Sequence, residues 1–379
     1  MKRGYEVPRP PVIERAVLVG HAERRDPSAA AGGDGLPPSL EELARLAETA
    51  GARLCGSVLQ RRGAPRPATF IGRGKLEELQ RRVGEADADM VIFDDDLSPA
   101  QVRNLEKLVG IKVVDRSELI LDIFARRART RESRLQVELA QLQYMLPRLT
   151  GLWKHLERQA GGIGTRGPGE TQLEVDRRRV RERIAVLRRH LAGVERERET
   201  QRARRRRHFR AALVGYTNAG KSTLFNALTR ANVLVEDRLF ATLDATTRQM
   251  VSPDRRTALV TDTVGFIRKL PHHLVASFHS TLVEAVEADL LVHVVDGADL
   301  QFRRQMSAVE DVLEEILDAP RPTVLVLNQV DRMDEDRAAG LAAEFPDALQ
   351  VSALTGAGLE PLRELLWERA ARRAHENGA

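Results

Sequence analysis

The rhythm of apolar positions changes along this chain, and the changes divide it. Up to about residue 124, short apolar runs alternate with stretches of helical spacing. The pattern predicts a strand over Ala16 to Val19, a loop over the small residues from Ala29 to Pro38, and a helix capped at Ser39. That helix carries Leu40, Leu43 and Leu46, with Glu42 at the capping-box position. A strand around Val58, a helix over Lys75 to Val83, a buried strand over Met90 to Phe93, a helix from Ser98-Pro99 to Val109 and a strand over Ile111 to Val114 follow. Such alternation implies a small, mostly parallel α/β domain. The next region keeps only helical spacing, in Leu135, Leu139, Leu142, Met145 and Leu149, and again in Leu173, Val180, Ile184, Leu187, Leu191 and Val194. Pro147 is expected to interrupt the first helix. Between the two lies Gly161-Gly162-Ile163-Gly164-Thr165-Arg166-Gly167-Pro168-Gly169, too poor in apolar residues for a core, so the pair reads as an antiparallel arm with this loop near its tip. Strand-like runs then return at Ala211 to Val214, Thr257 to Thr261, Leu290 to Val295, Thr323 to Leu327 and Leu349 to Val351. The expected domains are an α/β domain over 1–124, a helical arm over 125–207 and a second α/β domain over 208–379.

Composition sharpens this division. A chain of 379 residues is ample for two or three cores. The net charge is only +5, but from Leu173 to Arg210 there are 15 arginines against 6 acidic residues. So large a surplus of one sign exceeds what ion pairing along a helix absorbs and points to a polyanion, RNA above all. Base readout is not implied, since no stacking-aromatic RNA motif is present. Cys55 is the sole cysteine, which excludes an internal disulfide and suits a reducing compartment. No apolar run is long enough to span a bilayer, and prolines follow Met1 to Glu6 where a secretory signal would carry its hydrophobic core. A cytoplasmic protein is therefore expected.

The chemistry is carried by short strings at strand ends. Gly215-Tyr216-Thr217-Asn218-Ala219-Gly220-Lys221-Ser222 spells a full phosphate-binding loop between an apolar run and a helix. Its glycines let successive N–H groups turn inward, Lys221 is placed to reach the β- and γ-phosphates, and Ser222 to ligate Mg²⁺. About twenty residues beyond Lys221, Phe240-Ala241-Thr242-Leu243-Asp244 offers a threonine that completes the Mg²⁺ shell, with Thr246 and Thr247 as competing candidates. Asp262-Thr263-Val264-Gly265 supplies an aspartate behind the metal and a glycine N–H for the γ-phosphate. In Asn328-Gln329-Val330-Asp331, Asp331 suits the N1 and N2 donors of guanine; adenine lacks them, a discrimination on the order of 10³. Ser352-Ala353-Leu354 is the expected buttress of the base. Their order and spacing predict a GTPase. Two further strings lack the rest of a site: Ile71-Gly72-Arg73-Gly74-Lys75 reads as a turn, and Asp94-Asp95-Asp96 as a solvated acidic loop.

These strings, with the glycine-rich signature continuing through Glu170-Thr171-Gln172-Leu173-Glu174, resemble the HflX family of ribosome-associated GTPases, within the P-loop class. The resemblance runs from about Val12 to the end of the last domain. It implies association with the large ribosomal subunit and its RNA and splitting or rescue of stalled ribosomes, especially under stress; GTP and GDP as ligands with Mg²⁺, and a monomer off the ribosome, are expected beside it. Gln329 departs from the lysine usual in the N-K-x-D string, and, with the chain closing soon after Ala370, the extension some members carry is expected to be missing or vestigial. The competing expectation is a P-loop ATPase or RNA-remodelling enzyme with a second nucleotide site in the N-terminal domain. A binding module whose nucleotide state only tunes RNA affinity is the third.

Overall fold

The structure is a computed structural model that describes residues 13–21, 38–61, 63–151, 168–205, 208–229, 231, 236, 238–252, 254, 256–271 and 284–378. The chain divides into two compact units, Met1–Ile123 with Tyr144–Arg177, and Phe124–Gln143 with Arg178–Ala379.

The first unit is built on a parallel sheet of four strands in the order β2-β1-β3-β4: β1 Arg15–His21, β2 Arg53–Gln60, β3 Met90–Phe93 and β4 Lys112–Val114. Helices α1 (Pro38–Thr49), α2 (Arg73–Ala86) and α3 (Pro99–Val109) connect them. Because side chains alternate across a strand, β1 is buried on both faces. Val17 and Val19 pack with Leu79 of α2 and Leu105 of α3. The backbone of Gly20, in alternate register, lies so near Leu40 of α1 that a Cβ there would sit 2.8 Å from it. Ser98 caps α3 with a full capping box to Gln101. Helix α1 begins at Pro38, one residue ahead of the expected cap.

Asp94 departs from the expected solvated acidic loop: it is 1% exposed and ion-paired with Arg116 at 2.7 Å. A carboxylate so buried needs a charged partner, which the sequence string did not reveal. In the glycine turn, Gly72 N–H donates to Gln60 Oε1 at 2.7 Å, and Arg73 and Lys75 pair with Glu77 and Glu78. Helix α4 (Arg116–Arg127), which the apolar spacing had not announced, begins where Asp115 accepts from Glu118 N–H. Helix α5 (Arg131–Met145) ends before Pro147, and a 3-10 turn follows at Arg148–Gly151.

Helix α6 runs 38 residues, Pro168–Arg205. In the second unit its Arg183 pairs with Glu138 of α5 at 2.7 Å and its Arg198 with Glu132 at 2.8 Å, so the two helices run antiparallel. Ile184 and Leu187 are buried, as the spacing predicts. Residues 161–167 of the glycine-rich loop lie outside the described residues.

The rest of this unit is a six-stranded sheet, order β10-β9-β8-β5-β7-β6: β5 Phe209–Gly215, β6 Thr246–Val251, β7 Thr257–Asp262, β8 Leu290–Asp296, β9 Thr323–Asn328 and β10 Leu349–Gln350. All neighbours are parallel except β6 with β7. Helices α7 Lys221–Thr229, α8 Phe302–Ile316, α9 Glu335–Glu344 and α10 Leu359–Gly378 stand among its described residues. Leu213 of β5, Leu224 and Phe225 of α7, and Leu362 and Leu366 of α10 share one core. Strand β5 is flanked by β7 and β8, so the loop that leaves it opens at the carboxyl edge of the sheet, where α/β folds place ligands.

Candidate nucleotide-binding site

The loop from Gly215 to Ser222 leaves the end of β5 and turns directly into α7 at Lys221. Gly220 holds the turn with φ 86°, and a Cβ there would run into the Asn328 amide. Only glycine meets both conditions. Lys221 is 6% exposed, and its ammonium donates to the carbonyls of Tyr216 at 2.8 Å and Gly215 at 3.1 Å. Burial holds its pKa down to about 8, opposed by the charge of Asp262. Two of three ammonium protons are thus aimed by the loop itself, and the charge sits at the positive end of a helix dipole.

Ser222 brings the other strings together. Its Oγ donates to Asp262 Oδ2 at 2.7 Å and lies 2.8 Å from Thr242 Oγ1. Thr246 and Thr247 are elsewhere, in β6, where Thr247 bonds Thr261. Asp262 is fully buried at the end of β7; burial raises its pKa, while Ser222, Lys221 and Thr242 oppose the rise. Its second oxygen, Oδ1, is buried without a hydrogen-bond partner. Gly265 approaches the loop so closely that a Cβ would lie 2.7 Å from Thr217 Cα. Thr217 N–H donates to Phe266 O, and Phe266 N–H to Gly215 O, so the D-x-x-G segment is laced to the phosphate loop. Val264 and Phe266 are buried, and the Thr263 hydroxyl donates to Leu213 O at 2.6 Å, a packing role.

Thr217, Asn218, Gly220, Lys221, Ser222, Thr223, Phe240, Ala241, Thr242, Thr263 and Gly265 line one pocket with Glu236 and Arg238. The last two belong to no motif, and no spacing signal marks them. Thr217 Oγ1 accepts from Phe240 N–H at 2.9 Å. His293 of β8 is 4% exposed with Nε2 unpartnered; burial, with Lys221 adding, pushes its pKa down to about 4, so it stays neutral at physiological pH. Arg268 donates its N–H to the Tyr216 hydroxyl, and His272 and His273 lie outside the described residues.

Asn328, 1% exposed, donates from Nδ2 to Ala219 O at 2.9 Å and accepts at Oδ1 from Ala353 N–H at 3.0 Å. It therefore ties the phosphate loop to the Ser352-Ala353-Leu354 turn, a role the motif does not spell out. Ser352 is buried, whereas Leu354 is 79% exposed. Gln329 takes φ 65° and opens a short 3-10 turn, Val330–Arg332, on which Asp331 stands exposed.

Three family models match the chain. Residues 38–125 match the GTP-binding GTPase N-terminal model, residues 127–205 the GTP-binding GTPase Middle Region and residues 210–329 the 50S ribosome-binding GTPase. The chain is 50% identical over 333 residues to the GTPase HflX of Lacrimispora saccharolytica, covering 86% of this chain and 78% of that one. It is 49% identical over 334 residues to the GTPase HflX of Escherichia coli strain K12, covering 87% and 78%. Of solved structures, a complex of SsGBP with GDP shares the fold at 24% identity and a TM-score of 0.51, covering 96% of this chain and 100% of that one.

Proposed function

This chain belongs to the HflX family of GTPases, and we propose that it spends GTP on the large ribosomal subunit, splitting or rescuing stalled ribosomes under stress. The observation that carries the nucleotide half of this reading is the chain from Thr242 through Ser222 to Asp262, whose Oδ2 takes the Ser222 hydroxyl while its Oδ1 is buried without a hydrogen-bond partner. Such an oxygen is costly to leave unpaired, and hard oxygen donors beside a phosphate loop suit Mg²⁺. Ser222 and Thr242 would hold the ion, with Asp262 behind them. Bound there, Mg²⁺ would neutralise charge that develops on the phosphates. Lys221 and the N–H groups of residues 217 to 222 hold the phosphates, and Gly265 presents its N–H to the terminal one. A soluble, cytoplasmic setting and a monomer off the ribosome complete this reading; among the described residues, no helix is long and apolar enough to cross a membrane.

Asp331 takes the guanine donors in this scheme. Asp331→Asn is expected to weaken GTP by roughly tenfold or more and to favour xanthosine triphosphate, whose C2 carbonyl accepts from the new amide. Unchanged GTP affinity in a fluorescence titration removes Asp331 from the base site.

Phe266 stands directly after D-x-x-G, where a water-orienting glutamine is common, and its ring is 1% exposed and unable to hydrogen-bond water. Intrinsic turnover is therefore expected to be slow, with the attacking water positioned by backbone, by another side chain or by the bound partner. The arginine surplus of α6 favours ribosomal RNA as the polyanion. Cosedimentation with ribosomal subunits in GTP-analogue, GDP and nucleotide-free states tests the reading. Turnover indifferent to large subunits, with no cosedimentation in any state, refutes it.

A further inference from the structure

The segment Phe240 to Asp244, read as supplying the Mg²⁺ threonine and called the switch segment, is gripped two residues beyond Thr242 by the helical part of its own unit. Asp244 accepts from the Thr130 hydroxyl at 2.6 Å, with the N–H groups of Thr130 and Arg129 at 3.3 and 3.4 Å. The same Thr130 Oγ1 accepts from Ser133 N–H at 3.1 Å and Thr130 O from Arg134 N–H, so one threonine caps α5 and holds the switch. On either side the grip is reinforced: the Phe124 and Phe240 rings meet edge to face at 4.7 Å, both fully buried, and Arg127 pairs with Glu236 at 2.6 Å. A carboxylate at a helix N-terminus, receiving a hydroxyl and facing two amides, is a charge-assisted clasp.

We propose that Thr130 is a positioning residue for the GTPase: by clasping Asp244 it holds Thr242 Oγ1 beside Ser222, and so couples binding of Mg²⁺ and the γ-phosphate to the start of helix α5. This rests on the reading of Thr242 as the switch residue. The clasp ties two places that the sequence separates by more than a hundred positions, and it gives the arm a defined receiving point for the nucleotide state. A ligand that pulls Thr242 inward must carry Asp244 with it, and the cap of α5 tightens or breaks accordingly.

Thr130 is exposed, so its substitution leaves the core intact. In the full-length chain, Thr130→Val is expected to raise the Mg²⁺ concentration that half-saturates GTP-analogue binding about five- to tenfold, with GDP binding unchanged and Thr130→Ser near the parent. Hydrogen exchange supplies a readout apart from activity: amides of Phe240 to Asp244 and of Arg131 to Arg134 should gain protection together on adding Mg²⁺ and the analogue, and lose that link in Thr130→Val. Thr242→Ala is run beside it. If Thr242→Ala shifts the Mg²⁺ requirement and Thr130→Val does not, the clasp is only packing and the proposal falls while the site reading stands. If neither variant shifts it, the switch reading of Thr242 fails and takes the clasp with it.

Discussion

Replacing Lys221 by alanine is expected to lower GTP affinity by on the order of 10²–10³-fold, measured with a fluorescent analogue at neutral pH. The magnitude follows from its setting. The ammonium is buried, and the loop carbonyls of Gly215 and Tyr216 fix two of its protons. No water of comparable charge replaces it at the mouth of a helix dipole. Its pKa is held down to about 8 against an ordinary 10.5. Between those values the folded chain binds fewer protons than the unfolded one, so this group's contribution to stability rises with pH across that window. Phosphate affinity moves the opposite way: it is expected to fall as pH climbs past 8 and the charge is lost, although a bound phosphate delays the loss by favouring the charged form. Lys221→Ala should abolish this pH dependence. An alanine variant with parental affinity would mean that the loop amides alone hold the phosphates.

Much of this architecture was legible in the sequence because each legible element carries its own local signal. Ser98 and Gln101 spell a capping box, Met90 to Phe93 is a continuous apolar run, and four of the five nucleotide strings follow strands in a fixed order, with Phe240 to Asp244 in the segment ahead of β6. What escaped was encoded at long range or in polar residues. Strand β6 is mostly polar and lies at the sheet edge, so Thr246 and Thr247 stood as competing candidates for the Mg²⁺ threonine until pairing with β7 placed them in a strand. Helix α4 did have a local marker, Asp115 three residues ahead of Glu118, but its short apolar stretch Leu119 to Phe124, broken only by Asp122, fits a strand as well as a helix. Asp94 looked solvated because three consecutive acids usually are; its partners, Arg116 and through it Glu42, come from other elements. The clasp of Thr130 on Asp244 joins positions that no periodicity relates. Local rules therefore found the groups that gather at the candidate site and missed those that hold them.

Arg116 is the point where that hidden layer should be most costly to disturb. Its side chain is 1% exposed and lies between Asp94, itself 1% exposed, and Glu42, 12% exposed, at the start of α4. Both carboxylates lost most of their water on folding, and the guanidinium compensates by charge and by directed N–H donors. Arg116→Met keeps most of the volume and removes the compensation, so it is expected to destabilise the first unit by about 3–5 kcal/mol. Urea unfolding followed by circular dichroism measures this as a lowered midpoint at unchanged slope. Adding Asp94→Leu to Arg116→Met should recover part of the loss, because the more deeply buried of the two carboxylates is then replaced together with the arginine that compensated it. A loss below about 1 kcal/mol for Arg116→Met would place this pair with weak surface ion pairs in spite of its burial. Recovery in the double variant would show that the cost belongs to the uncompensated carboxylate and not to the shape of the arginine.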